Sequence, residues 1–290
     1  MCAENCVHLR QAANWRYHQI TVGGKELART SVATERVAEI RKNLMTDVAV
    51  TFLGSGDAFG SGGRFQTCIL VQCPTTRFLL DCGASSPVAM KKQGISPATI
   101  GAIFVTHLHG DHFAGIPFFI LDAQFSKREA PLVIAGPPGI QVRVQDTMEV
   151  LFPKSSETPQ RFPITFVELL PPTPLQIGAL CVTPEPVFHF CGAPPYAVRV
   201  ECAGRTIAYS GDTEWTDALV KVAVGADLFI CEAYFFDKKI RFHLDYQSLS
   251  ERKASLGCKR LVLTHMSEDM LQRLSEVQTE WAEDGRTITL

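Results

Sequence analysis

Short apolar, β-branched runs alternate along the chain with longer segments of helical character, and Gly, Pro or Asp punctuates most of the junctions. Val48 to Leu53, Cys68 to Gln72 and Arg77 to Asp81 predict three consecutive strands, with helices over Pro87 to Gln93 and Phe113 to Phe125. Ile100 to Thr106 has the composition of a strand buried on both faces, and Gly110 breaks its continuation. The second half repeats the alternation, with strands near Tyr196, Thr206, Leu228 and Leu261 and helices near Asp217, Tyr246 and Glu268. A chain of 290 residues can bury one large core. The pattern suits an α/β (α+β) fold in which two mixed sheets pack together with helices outside. No tandem repeat is visible.

The chemistry concentrates where the Ile100 to Thr106 strand ends. Thr106-His107-Leu108-His109-Gly110-Asp111-His112 puts three imidazoles and a carboxylate in one loop. At the carboxyl end of a strand such donors can converge on more than one cation, with the nitrogen and oxygen ligands that zinc accepts. A surface loop that happens to be rich in histidine is the plain alternative, and four donors in six positions argue against it.

This run, following an apolar strand, resembles the His-x-His-x-Asp-His signature of the metallo-β-lactamase superfamily. The resemblance extends over most of the chain from about Met45. Leu80-Asp81-Cys82-Gly83 is similar to the strand end before the motif, and Gly136-Pro137-Pro138-Gly139 to the loop after it. His189, Ser210-Gly211-Asp212-Thr213 and Leu263-Thr264-His265 match the segments carrying the third histidine, the bridging aspartate and the last histidine. The resemblance implies the four-layer αββα sandwich of the metallo-β-lactamase fold. It also implies two divalent cations, zinc first, with manganese or iron as alternatives. One would take His107, His109 and His189, the other Asp111, His112 and His265, with Asp212 between them.

Each downstream residue has a competing reading. His189, in Val187-Phe188-His189-Phe190, could be a buried histidine satisfied by a backbone carbonyl, and Asp212 could merely cap the next helix. A penicillin-hydrolysing enzyme of the main zinc subclass would carry cysteine at Asp212, and a flavodiiron oxidoreductase a carboxylate at His109, so both are disfavoured. What is left resembles the phosphodiesterase branch typified by ribonuclease Z, supported by His243 in Phe242-His243-Leu244-Asp245 and by Leu263 to Ser267. Thioesterases of the glyoxalase type share a similar ligand set.

The mechanism this implies uses two cations about 3.5 Å apart to supply hydroxide at neutral pH. Asp111 would orient or deprotonate the attacking water, and His243 would protonate the departing oxygen, unless it is simply a surface loop histidine. Glu232, ending Leu228 to Glu232, is a weaker candidate for holding His243 or a ligand histidine, against pairing with a surface lysine. The Gly-rich run Gly54 to Gly63 lacks nucleotide-fingerprint spacing and reads as a loop bordering the pocket, with Arg64 reaching substrate.

The substrate is constrained by what is missing. Bacterial ribonuclease Z enzymes usually carry a Gly/Pro-rich arm for transfer RNA between the third histidine and the bridging aspartate. Here that interval is 212 minus 189, or 23 residues, which a simple hairpin fills. With 28 basic and 30 acidic residues there is no net positive field to attract a polyanion. A small phosphodiester, such as a cyclic phosphate or nucleotide, is favoured over large RNA, although Lys238, Lys239 and Arg241 lie close to His243. An acyl hydrolase (thioesterase or lactonase) and a non-catalytic metal-binding module are the other readings. A homodimer is left open.

The ten cysteines contain no Cys-x-x-Cys, and they read as reduced, buried small hydrophobes in a cytoplasmic protein. No signal peptide or run of the ~20 apolar residues needed to span a bilayer is visible. The catalytic domain is expected over residues 45–290. Residues 1–44 form an extension of uncertain role, with a helix around Thr34 to Lys42 or an upstream misreading of the start.

Overall fold

Side-chain alternation along the strands decides the layering. In β1 (Ala49–Gly54), β2 (Cys68–Gln72) and β3 (Arg77–Leu80), successive residues are buried on opposite faces. Phe52, Ile69, Val71, Phe78 and Leu80 face the centre of the molecule, whereas Leu53, Leu70 and Leu79 face the helices. A strand covered on both sides needs no polar face, which is why these segments read as unbroken apolar runs.

The computed structural model describes residues 47–290, so the expectations for residues 1–44 lie outside the described residues. It adds β4 (Ala102–Phe104), β5 (Leu132–Gly136) and β6 (Ile164–Glu168) to the first sheet, and β14 (Thr287–Thr289) to its other edge. The second sheet contains β7 (Leu175–Ile177), β8 (Leu180–Pro186), β9 (Tyr196–Cys202), β10 (Arg205–Tyr209), β11 (Leu228–Glu232), β12 (Leu261–Thr264) and β13 (Glu280–Trp281). The sheets are seven-stranded, in the orders β14-β1-β2-β3-β4-β5-β6 and β13-β12-β11-β10-β9-β8-β7. Each is mixed: β3 to β6 and β10 to β13 run parallel, and the remaining neighbours antiparallel.

One apolar cluster fills the space between the sheets, with Phe52, Phe78 and Phe104 meeting Val198, Val200, Ile207, Tyr209 and Ile230. A second lies between the first sheet and the helices Ile116–Phe125 and Ile140–Leu151, and a third between the second sheet and the helices Ala218–Ala223 and Tyr246–Arg252. Helix, sheet, sheet, helix is the expected αββα sandwich.

Some local expectations change. The helix expected over Phe113 to Phe125 is two helices, Gly110–Phe113 and Ile116–Phe125. The break falls at Gly115, where an added Cβ would lie 2.2 Å from the Gly83 carbonyl oxygen, and Pro117 then opens the second helix. The strand expected over Ile100 to Thr106 is regular only over Ala102–Phe104, with Gly101 and Val105 adding backbone bonds to its neighbours at either end. Cys73 and Cys202 are joined by a disulfide between the sheets, Cα–Cα 6.6 Å, in place of two of the expected thiols. At a sequence separation of 129, only the packing of the two sheets brings these strand ends together. Cys68, Cys82, Cys181, Cys191, Cys231 and Cys258 are free thiols, as expected.

Candidate metal centre

The carboxyl ends of parallel strands from both sheets meet at one edge of the sandwich. Asp81 follows β3 and His107 follows β4. Asp212 follows β10, Glu232 closes β11 and His265 follows β12. Such edges collect function because each strand delivers one loop there. The loop carrying His107 to His112 is held against the end of β3 by close backbone contact, and a Cβ on Gly83 would lie 2.1 Å from the Asp111 carbonyl oxygen.

Among the described residues, possible donors cluster in two main groups, His107, His109 and His189, and Asp111, His112, Asp212 and His265, which His243 overlaps through His189 and Asp212 on one side and Glu232 and His265 on the other. In the first, His189 Nε2 lies 3.1 Å from His109 Nδ1. In the second, Asp111 Oδ2 is 3.1 Å from both His112 Nε2 and His265 Nε2. Asp212 Oδ2 lies between the groups, 3.4 Å from His112 and His265, 3.8 Å from His107 and 4.0 Å from His189. His107, His112, Asp212 and His265 are almost completely buried.

Neighbouring groups fix which nitrogen each imidazole turns inward. Asp81, missing from the sequence-derived candidates, accepts from His112 Nδ1 at 2.7 Å and from the Thr106 amide and hydroxyl. Because that hydroxyl donates to Asp81, it accepts from His107 Nδ1 at 3.1 Å. His189 Nδ1 donates to the Phe242 carbonyl at 2.8 Å. Three Nε2 lone pairs therefore point into the cluster. The carbonyl-satisfied histidine and the metal-facing histidine, competing readings of His189, are compatible because they use different ring nitrogens.

The fit to cations is visible in what the protein leaves unpaired. His107 Nε2 and Asp212 Oδ1 are buried with no hydrogen-bond partner among the described residues, and imidazole nitrogens face each other at 3.1 and 3.3 Å. Buried polar atoms are normally paired, so a convergent set of orphaned lone pairs and carboxylate oxygens is the donor set of a divalent metal site. Burial pushes the His107 imidazole well below its usual pKa, and His189 down to about 4, which favours the neutral form that a metal site would require. Burial works against ionised Asp111, but His112 and His265 outweigh it and hold the carboxyl below its usual range.

His243 stands at the rim, its side chain 20% exposed. Its Nδ1 donates to Glu232 Oε2 at 2.9 Å, and its ring stacks on Tyr234 at 4.6 Å. Burial lowers its pKa, but the Glu232 carboxylate more than compensates and raises it to about 9. Glu232 is fully buried and also accepts from the Thr213 amide, so it pairs with His243 and not with a surface lysine. Asp212 caps no helix, since the next begins at Ala218. Arg64 is not part of the cluster: its guanidinium donates to the Ala282 carbonyl at 2.6 Å and to Ser55 Oγ at 3.3 Å. Asp81 and Tyr234 carried the same sequence signal as His107, a polar residue ending an apolar strand or just beyond it.

Residues 48–286 match the family model described as Anti-Pycsar protein Apyc1. A ribonuclease Z from Methanothermobacter thermautotrophicus is 32% identical over 274 residues, covering 75% of this chain and 86% of the relative. The human tRNase Z, short form, superposes with a TM-score of 0.69 at 28% identity, covering 83% of this chain and 98% of that one. The metallo-β-lactamase fold protein YhfI from Bacillus subtilis gives a TM-score of 0.70 at 20% identity, covering 84% and 100%. Taken with the buried donor set, these matches make the chain a metal-dependent hydrolase that belongs to the Apyc1 family, a ribonuclease Z-like member of the metallo-β-lactamase superfamily.

Proposed function

We propose that the chain hydrolyses a small or cyclic phosphodiester, with two divalent ions, zinc first, held by His107, His109 and His189 and by Asp111, His112 and His265, and with Asp212 shared between them. Ions held there would supply hydroxide at neutral pH and offset the negative charge of the phosphodiester. Asp111 orients the attacking water. His243, kept protonated by Glu232, delivers a proton from Nε2 to the departing oxygen, and Tyr234 stacked on its ring limits its rotation.

The observation that carries the choice of a small substrate is the hairpin between His189 and Asp212. β9 and β10 pair from Tyr209↔Val198 to Arg205↔Cys202, closed by Ala203 and Gly204 alone, so nothing projects there to grip a folded RNA. Beside His189 and His243, half-exposed Phe188 stacks on Phe242 at 5.8 Å, and Arg241 lies over the Phe242 ring at 4.8 Å. An exposed aromatic surface beside a cation suits a planar group carried by an anion, such as a nucleotide.

A ribonuclease Z-type endonuclease is the second reading, favoured by the 32% identity to the Methanothermobacter ribonuclease Z. Steady-state kinetics on cyclic nucleotides, bis(p-nitrophenyl) phosphate, a precursor transfer RNA and a thioester panel separate the alternatives. The proposal expects the highest kcat/KM on a small phosphodiester. Faster cleavage of the precursor RNA selects the second reading, and turnover of thioesters alone overturns both.

A further inference from the structure

His265 has a backbone conformation that its sequence does not explain. Its φ is +57°, in the left-handed region that a residue with a Cβ rarely adopts, yet it projects a metal-facing side chain from the end of β12. Such a conformation persists only when the surroundings impose it. One direct backbone restraint on it is the hydrogen bond from the His265 amide to the Ser55 carbonyl at 3.2 Å, and the neighbouring Met266 bridges to Gly56.

The segment that accepts this bond is held in turn from the far end of the chain. After Ala282, which pairs with Leu263 beside β12, the chain crosses from the second sheet to the first and continues as β14 along β1. Asp284 lies in that crossover. One of its carboxylate oxygens accepts from the Ser55 amide and the Ser55 hydroxyl, both at 2.9 Å, and the other accepts from the Phe65 amide at 2.8 Å. The single carboxylate thus clamps both ends of the Gly54 to Gly63 loop. Arg64 closes the same knot through Ser55 Oγ and the Ala282 carbonyl. The loop has little room to shift, since a Cβ on Gly54 would lie 2.0 Å from the Gln66 carbonyl oxygen.

We infer that Asp284 is a positioning residue for the metal centre: through Ser55 it fixes the backbone of His265 and so the place of that imidazole in the Asp111, His112, Asp212 and His265 group. The functional consequence rests on the metal reading of the site, but the mechanical link does not. Asparagine at position 284 keeps one acceptor oxygen and turns an NH2 toward the Ser55 or Phe65 amide, so the clamp opens at one end.

Two measurements on Asp284→Asn test this, with Asp227→Asn as a control that loses a comparable carboxylate on the opposite edge of the sandwich. Amide hydrogen exchange of the segment containing His265, in protein stripped by chelator, is expected to speed up about 10-fold or more in Asp284→Asn and to stay at the parental rate in Asp227→Asn. Titration with Co2+, followed by absorption, is expected to show one of two binding steps weakened about 10–100-fold in Asp284→Asn alone, with an altered spectrum for that step. Ser55→Ala, which removes the hydroxyl's bonds to Asp284 and from Arg64 but keeps the backbone bonds of Ser55 to Asp284 and His265, is expected to fall between parent and Asp284→Asn in both. Parental exchange at His265 in Asp284→Asn, or equal acceleration in both asparagine variants, overturns the inference. A parent that takes up no Co2+ overturns the metal reading instead, and the exchange result still decides the link.

Discussion

The first half of the chain brings four possible donors to the candidate metal centre from six positions, His107 to His112, whereas the second brings His189, Asp212 and His265 from three separate strand ends. In the first half a few covalent bonds and one buried carboxylate, Asp81, set the relative positions of the donors. In the second they depend on the register of β10, β11 and β12 and on the packing of one sheet against the other. The loop is thus a local device and the other three donors a product of the whole fold. Damage to the second half should therefore change the distance between donor groups, while damage to the loop should change the donors themselves.

Asp212→Ala is the most severe way to break that contrast. Its Oδ2 is within 4.0 Å of five imidazoles drawn from both halves, those of His107, His112, His189, His243 and His265, so without it the two groups share no common atom. The expected result is a loss of about 10⁴-fold or more in kcat/KM together with a metal content below the parent's by elemental analysis. Full metal content in Asp212→Ala would show that the other six donors hold the ions without the carboxylate that the two groups share.

The same contrast explains how much could be read from the sequence. His107 to His112 announced itself because its donors are neighbours in the chain, and the strands were legible because burial on both faces removes polar residues from them. The second-half donors stood out only by resemblance, each being one polar residue after an apolar run. The Cys73–Cys202 disulfide, the direction of Arg64 and the clamp at Asp284 depend on which strand ends meet across two sheets, and no local pattern records that. Gly115 looked like an ordinary helical position until its contact with Gly83 showed why the helix breaks.

His243→Ala comes next and addresses chemistry with the metal donors left intact. The expected loss is about 10²–10³-fold in kcat on a substrate with a poor leaving group, with unchanged metal content. On bis(p-nitrophenyl) phosphate, whose leaving group needs no proton, the loss should shrink to roughly 10-fold or less. Equal losses on the two substrates would remove His243 from the role of acid.

Asp81→Asn tests the first half at the residue that organises it. An amide there can accept from one of His112 Nδ1 and Thr106 but not satisfy both as the carboxylate does, so His112 loses its fixed tautomer and His107 its chain through Thr106. Metal affinity is expected to fall about 10–100-fold in a chelator competition, at otherwise normal circular dichroism. If affinity holds, the covalent geometry of the loop suffices without its carboxylate.

The smallest effect isolates the second half from the metal. Asp227 joins β10 to β11 at the edge opposite the site, accepting from the Thr206 amide at 2.8 Å and from Lys259 Nζ at 2.7 Å. Burial opposes its ionisation, but the bonds from Lys259 and Thr206 prevail and hold its carboxyl below the usual range. A depressed carboxylate pKa contributes stability above the unfolded value of about 3.9, and that contribution disappears as pH falls through the folded pKa. Asp227→Asn should therefore be less stable than the parent by roughly 1 kcal/mol at pH 7, and the gap should close below about pH 4 in urea melts. Metal content and kcat should be unaltered at pH 7, because loosening the far edge of the second sheet leaves the ends of β10, β11 and β12 in register at the site. If metal affinity fell along with stability, the second half would transmit strain along its strands, and its donors would be more fragile than the contrast with the His107 to His112 loop already implies.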